Sequence, residues 1–196
     1  MVLGGVLPGG FGAEIWTFVS YALLHGSWTH YGVNAVWLLA FGSAVARRFG
    51  TARFLAFFAV TAVAGAGMHL LTNAGSPAPM VGASASISGA MAAAMRFAFQ
   101  HGGPLGFMRG GDDESYRVPA LPLSGVLKDR RVLIFLAVWF GINLLFGLGS
   151  TPLTGADEVV AWQAHIGGFL AGLLLFSWFD PKPNFPQYTD NSATRH

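Results

Sequence analysis

Three short clusters in the sequence combine residue types that can do chemistry. The first runs His25-Gly-Ser-Trp-Thr-His30-Tyr-Gly-Val-Asn34. His30 and Asn34 are four apart, so on a helix they share one face and offer two side-chain donors in one direction. His25 falls about 140° from His30 on the same wheel and belongs to a loop or another face. The second is Gly82-Ala83-Ser84-Ala85-Ser86-Ile87-Ser88-Gly89. Its small residues allow a helix N-terminus to approach a partner closely, and the unpaired N–H groups there favour developing negative charge. The third is Ala164-His165-Ile-Gly-Gly168-Phe-Leu-Ala-Gly172. His165, Gly168 and Gly172 form one helical stripe, with Ala161 a turn before, and such a stripe packs tightly against a facing helix. The helix that starts at Ser84 is the expected partner. Taken singly, each cluster has a plainer explanation, because a helical Ser usually bonds back to a carbonyl and small residues at this spacing usually serve packing. Taken together, they supply a nucleophile, a base and two oxyanion donors, the set that acyl transfer requires.

The remaining histidines join no such set. His69 reads as an interfacial or helix-packing residue, and His101 and His196 as solvated. The sequence contains no HExxH-like pair, so the reading calls for neither a metal nor a cofactor. Zero Cys excludes a thiol nucleophile and a disulfide scaffold.

The elements that must position these clusters follow from composition. The chain has 196 residues, 53% hydrophobic and only 10% charged, where a soluble domain carries about a quarter charged residues. That balance points to an integral membrane protein and argues against a soluble domain. The net charge is +2, with no basic amphipathic stripe, so no nucleic-acid partner is expected. Stretches at roughly 29–46, 54–71, 132–149 and 159–179 are nearly free of charge. Each has about the 17–25 residues that a bilayer-crossing helix needs. A fifth, at about 82–99, is rich in Ala, Ser and Gly and is interrupted only by Arg96; its weak hydrophobicity suits a helix surrounded by other helices. The period-2 alternation of a membrane barrel is absent. The expected fold is therefore all-α, a polytopic helical membrane bundle.

Charge placement sets the topology. Threading five helices puts all 11 basic residues on one side: Arg47, Arg48 and Arg53 after the first helix; Arg96, Arg109, Arg117, Lys128, Arg130 and Arg131 at or after the third; Lys182 and Arg195 after the fifth. The positive-inside rule then makes the C-terminus cytoplasmic and places residues 1–28 outside. The expected organisation is an outer N-terminal segment and loop at 1–28, a transmembrane domain at 29–179 with a solvated cytoplasmic loop at about 100–131, and a cytoplasmic tail at 180–196. No secretory signal peptide is read in residues 1–14. The acidic run Asp112-Asp113-Glu114 is given no chemistry.

These motifs resemble those of the rhomboid intramembrane serine proteases. His25-x4-His30-x3-Asn34 is similar to the family's second-helix motif, Gly82-Ala83-Ser84-Ala85 to its Gly-x-Ser-Gly nucleophile motif, and Ala164-His165-x2-Gly168-x3-Gly172 to its sixth-helix motif. The resemblance covers about residues 14–179. It implies that Ser84 is the nucleophile and His165 its general base, a dyad without a third acid. His30, Asn34 and the Ser84 N–H would stabilise the oxyanion, with His25 and Gly82 supporting. Ser86 and Ser88 are rival nucleophiles. Ser86 points about 200° away from Ser84, and Ser88 lies a turn deeper on nearly the same face, away from the N–H-rich terminus. The sequence departs from the family pattern in three places. Ala85 stands where the family has Gly and adds a methyl beside the nucleophile. Ala46 stands where a Glu commonly ends the second helix. Five helices are read where the family core has six, so the first family helix is expected to be missing.

The function implied is a serine-type endopeptidase that cleaves transmembrane segments of other membrane proteins, with the lipid bilayer as its medium and its active site opening to the outside. High Ala and Gly fit a GC-rich bacterial genome, and hence a multi-pass protein of a bacterial cytoplasmic membrane. A catalytically inactive rhomboid-like protein that binds client transmembrane segments is the alternative. It is expected to have lost at least one of Ser84, His165, His30 and Asn34. A proton-coupled transporter would place acids within the spans, whereas Glu14, Asp157 and Glu158 lie at the outer margin.

Overall fold

A computed structural model describes residues 10–74, 79–105, 113–148 and 161–181. Asp157, Glu158, Arg109, Asp112, His196 and the tail beyond 181 lie outside the described residues. Among those described, every regular element is a helix and there is no strand.

Helix α1 spans Gly10–Ser20 and runs into a 3-10 turn at Tyr21–Leu23. The sequence alone predicts only an outer segment and loop here. Tyr21 is what ties it to the bundle. Its buried phenol donates to the Ala62 carbonyl at 2.9 Å, and its own carbonyl accepts from the Gly82 N–H at 3.1 Å. Burial pushes the Tyr21 pKa above its ordinary value.

Helix α2, Trp28–Trp37, starts where the Ser27 side chain accepts from the His30 N–H at 3.1 Å, an N-cap that satisfies one orphan donor. It continues through a π turn, Leu38–Gly42, into α3, Ser43–Phe49. Gly50 breaks the chain with φ +79°, a left-handed conformation that suits Gly, and α4 follows at once over Thr51–Thr72. By length and composition α4 is long and apolar enough to cross a membrane. Helix α5, Ser84–Met95, is buried from Ala85 to Met95 on every face, as its small, weakly apolar residues imply. It ends at Met95, short of the expected 99, because the Arg96 N–H turns to the Ala93 carbonyl and its side chain leaves for Leu121. A short α6, Leu123–Val126, precedes α7, Arg130–Leu148, and α8, Trp162–Phe179, closes the described chain.

The core is the mutual packing of α4, α5 and α8, in which α8 lies closely against both of the others, with α2 and α3 alongside. Backbones meet there almost directly. A Cβ added at Gly168 would strike the Ala85 carbonyl, one at Gly172 the Gly89 carbonyl, and one at Gly167 would lie 2.6 Å from the Ala64 carbonyl oxygen. Such close approach is the packing available to helices in lipid, where burying apolar surface gives little driving force between them. Helix α7 sits at the edge and leaves Leu133, Ile134, Val138, Ile142 and Leu145 exposed.

The segment read as a solvated loop is partly docked. Ser115 and Val126 are buried, because two arginines from the bundle reach into it. Arg48 donates to the Tyr116 and Val118 carbonyls at 2.9 and 2.8 Å and makes a bidentate pair with Asp180 at 2.6 and 2.9 Å. Its guanidinium also lies 4.6 Å from the Phe97 ring centroid. Arg96 donates to the Leu121 carbonyl at 2.5 Å. These residues were legible only as positive charge; the carbonyls they satisfy lie about 70 and 25 positions away in the chain. Asp180→Ala strands a nearly buried guanidinium and is expected to cost about 3–5 kcal/mol, read as a lowered thermal unfolding midpoint in detergent. Arg48→Lys recovers little of it, because an ammonium cannot reproduce the fork.

Candidate active site

Ser84 is the first residue of α5, so its N–H precedes the intrahelical ladder, whose opening bond runs from the Ile87 N–H to the Ala83 carbonyl at 2.9 Å. His165 lies in the first turn of α8. The Gly168–Ala85 and Gly172–Gly89 approaches set the two helices in register, and the Ser84 Oγ then stands 2.8 Å from His165 Nε2. That is hydrogen-bond distance between a hydroxyl and a ring nitrogen able to take its proton.

The first cluster arrives from the other side. Gly82 has φ +112°, strained for any residue with a Cβ. A Cβ there would also lie 2.7 Å from His30 Nε2 and 3.7 Å from Asn34 Nδ2. Gly82 therefore leaves room for both polar side chains two residues before Ser84. Asn34 is buried, and one of its amide hydrogens goes to the His30 carbonyl at 2.9 Å; Nδ2 carries a second. His25 packs edge-on against the His30 ring, with centroids 5.2 Å apart, and against Tyr31 at 5.3 Å. It thus stands wedged between the His30 and Tyr31 rings. A cleft of about 270 Å³ lined by His25, Gly26, Ser27, Trp28 and Tyr31 opens next to it.

The other serines face elsewhere. Ser86 Oγ donates to the Phe58 carbonyl and Ser88 Oγ to the Ser84 carbonyl, each at 2.8 Å, and both are buried. The Ala85 methyl does not crowd the site, because it points at Gly65 of α4, where an added Cβ would collide with it. Gly65 supplies the room that a Gly at position 85 would otherwise supply. His69 lies near the end of α4 with Asn73 Nδ2 3.4 Å from its Nδ1, and His101 is exposed.

One site residue escaped the sequence reading. Asn143, in α7, is 7% exposed, and its Oδ1 lies 2.5 Å from His165 Nδ1. A lone amide inside an otherwise apolar helix was the available signal, since polar groups at membrane depth need a partner. Among the described residues, no cluster of His, Asp and Glu is arranged to hold a metal.

The rhomboid protease GlpG of Yersinia pestis (strain Pestoides F) is 26% identical over 166 residues, which is 84% of this chain and 48% of the relative. GlpG of Yersinia pseudotuberculosis (serotype O:3, strain YPIII) matches to the same extent. An uncharacterized protein of Mycobacterium bovis is 29% identical over 164 residues, 82% of this chain and 57% of that one. The chain thus spans about half the length of the curated relatives it matches. The Rhomboid domain model matches residues 12–180, and the chain belongs to the rhomboid family.

Proposed function

We propose that the protein is an intramembrane serine endopeptidase that cleaves transmembrane segments of other membrane proteins. The observation that carries this reading is the 2.8 Å approach of Ser84 Oγ to His165 Nε2 at the N-terminus of a buried helix. His165 Nε2 takes the Ser84 proton as Oγ attacks the scissile carbonyl. The resulting oxyanion is stabilised by the Ser84 N–H and the side chains of His30 and Asn34. Collapse expels the amine, which takes the proton from His165. Water then hydrolyses the acyl-enzyme, with His165 again the base. His25 and Gly82 support the donors.

The membrane arrangement belongs to the same proposal. Five spans, with the basic residues on the cytoplasmic side, put residues 1–28 and the mouth of the site outside and the C-terminus in the cytoplasm. A bacterial cytoplasmic membrane fits both the composition and the bacterial sources of the relatives. The client-binding alternative expects a broken catalytic set, and the retention of Ser84, His165, His30 and Asn34 favours proteolysis over it.

The test is a fluorophosphonate probe, which marks an activated serine without knowledge of the substrate. The proteolytic reading expects labelling of purified protein, mapped by mass spectrometry to Ser84; an unlabelled protein supports client binding instead. The oxyanion assignment makes its own prediction. Asn34→Ala lowers kcat for a fluorescently tagged transmembrane peptide about 10²–10³-fold with little change in KM. An unchanged kcat removes Asn34 from the oxyanion site.

A further inference from the structure

We infer that Asn143 is a positioning residue that fixes the tautomer and ring orientation of His165. This rests on the Ser84–His165 reading above and adds a member from α7 that no matched motif contains. The amide has one possible sense. Its Nδ2 donates to the Trp139 carbonyl one turn back at 2.8 Å, so the group at 2.5 Å from His165 Nδ1 is the carbonyl oxygen, which can only accept. Nδ1 must then carry the imidazole hydrogen, and Nε2 keeps its lone pair for the Ser84 hydroxyl 2.8 Å away. The reverse tautomer would set a lone pair against the Asn143 oxygen and an N–H against Ser84, and a base in that form cannot take the proton.

The helices are built to hold this contact. Trp139 stacks on Phe169, with ring centroids 5.0 Å apart and planes 27° from parallel. Trp139 lies one turn before Asn143 and Phe169 one turn after His165, so in these antiparallel neighbours a single aromatic stack sets the register of the polar pair. Asn143 is only 7% exposed, which limits the water that can compete for the Nδ1 hydrogen.

The experiment pairs nitrogen-15 NMR of histidine-labelled protein with fluorophosphonate labelling rates for wild type, Asn143→Leu and Asn143→Asp. His165 signals are assigned by their loss in His165→Gln, and spectra are taken above the ordinary imidazole range. We expect wild type to show a protonated Nδ1 and a bare Nε2. Asn143→Leu should give mixed tautomers and a labelling rate about 10–100-fold lower. Asn143→Asp retains an acceptor and should recover labelling to within about fivefold of wild type. An Asn143→Leu protein with wild-type nitrogen shifts and rate overturns the inference, and so does an Asn143→Asp protein as slow as Asn143→Leu with unaltered tautomers. Should wild type show the expected nitrogen pattern yet resist the probe, the tautomer assignment stands and the proteolytic reading fails.

Discussion

Replacing Ser84 with Ala should abolish fluorophosphonate labelling and lower peptide cleavage by about 10⁴–10⁶-fold, with the fold intact. The Ser84 side chain sits at the N-terminal start of α5, 2.8 Å from His165 Nε2, so its removal takes away the nucleophile and little packing. His165→Ala should cost nearly as much, and the double variant little more, because nucleophile and base act as a unit. Ser86→Ala and Ser88→Ala provide the contrast. Their hydroxyls donate to the Phe58 and Ser84 carbonyls, well inside the helix packing, and neither has a route to His165. Both variants should label at close to the wild-type rate. Labelling that survives Ser84→Ala but disappears with Ser88→Ala would move the nucleophile one turn down α5 and overturn the assignment.

The second large effect is expected at Gly168, which never touches a substrate in this account. Its Cα faces the Ala85 carbonyl so closely that a methyl has no space, and the obstacle is backbone rather than a side chain able to turn aside. Gly168→Ala must therefore push α8 away from α5. Overpacking of this kind costs about 1–3 kcal/mol. The consequence for activity is larger. His165 is one turn before Gly168 on the same rigid helix, and a misplacement of about 1 Å at a reacting group can cost about 10²-fold. The expected result is a turnover loss of about that size, together with a lower unfolding midpoint in detergent. Gly67→Ala on α4 is the control, because nothing lies within 4 Å of the added Cβ. An Ala there favours the helix by up to about 1 kcal/mol and should leave activity unchanged. Equal behaviour of the two variants would mean that the α5–α8 contact does not set the Ser84–His165 distance.

Sequence and structure agree where local chemistry decides. Charge-free runs of sufficient length located α4, α7 and α8 to within a few residues, because a helix in lipid must be continuously apolar. The polar clusters were legible because polar groups are costly at that depth. What escaped depended on partners distant in the chain. Asn143 has apolar sequence neighbours on both sides, and its role appears only when the Trp139–Phe169 stack brings α7 against His165. The Ala85 departure looked like crowding until Gly65, 20 positions earlier, was seen to face it. Arg48 read as one positive charge among several, whereas its fork binds Asp180 and two loop carbonyls. Helix α1 was read as loop because residues 1–28 were judged by their place outside the spans, and Tyr21 gives that segment its anchor in the bundle.

The most direct test of the proteolytic claim uses the full chain reconstituted in liposomes with a single-span substrate labelled at both ends. Mass spectrometry of the products locates the scissile bond. Wild type is expected to cleave within the outer part of the substrate's transmembrane segment, without added metal or cofactor, and Ser84→Ala not at all. A substrate that remains intact, and is retained equally by wild type and Ser84→Ala, would contradict it and leave a rhomboid fold that holds its clients without cutting them.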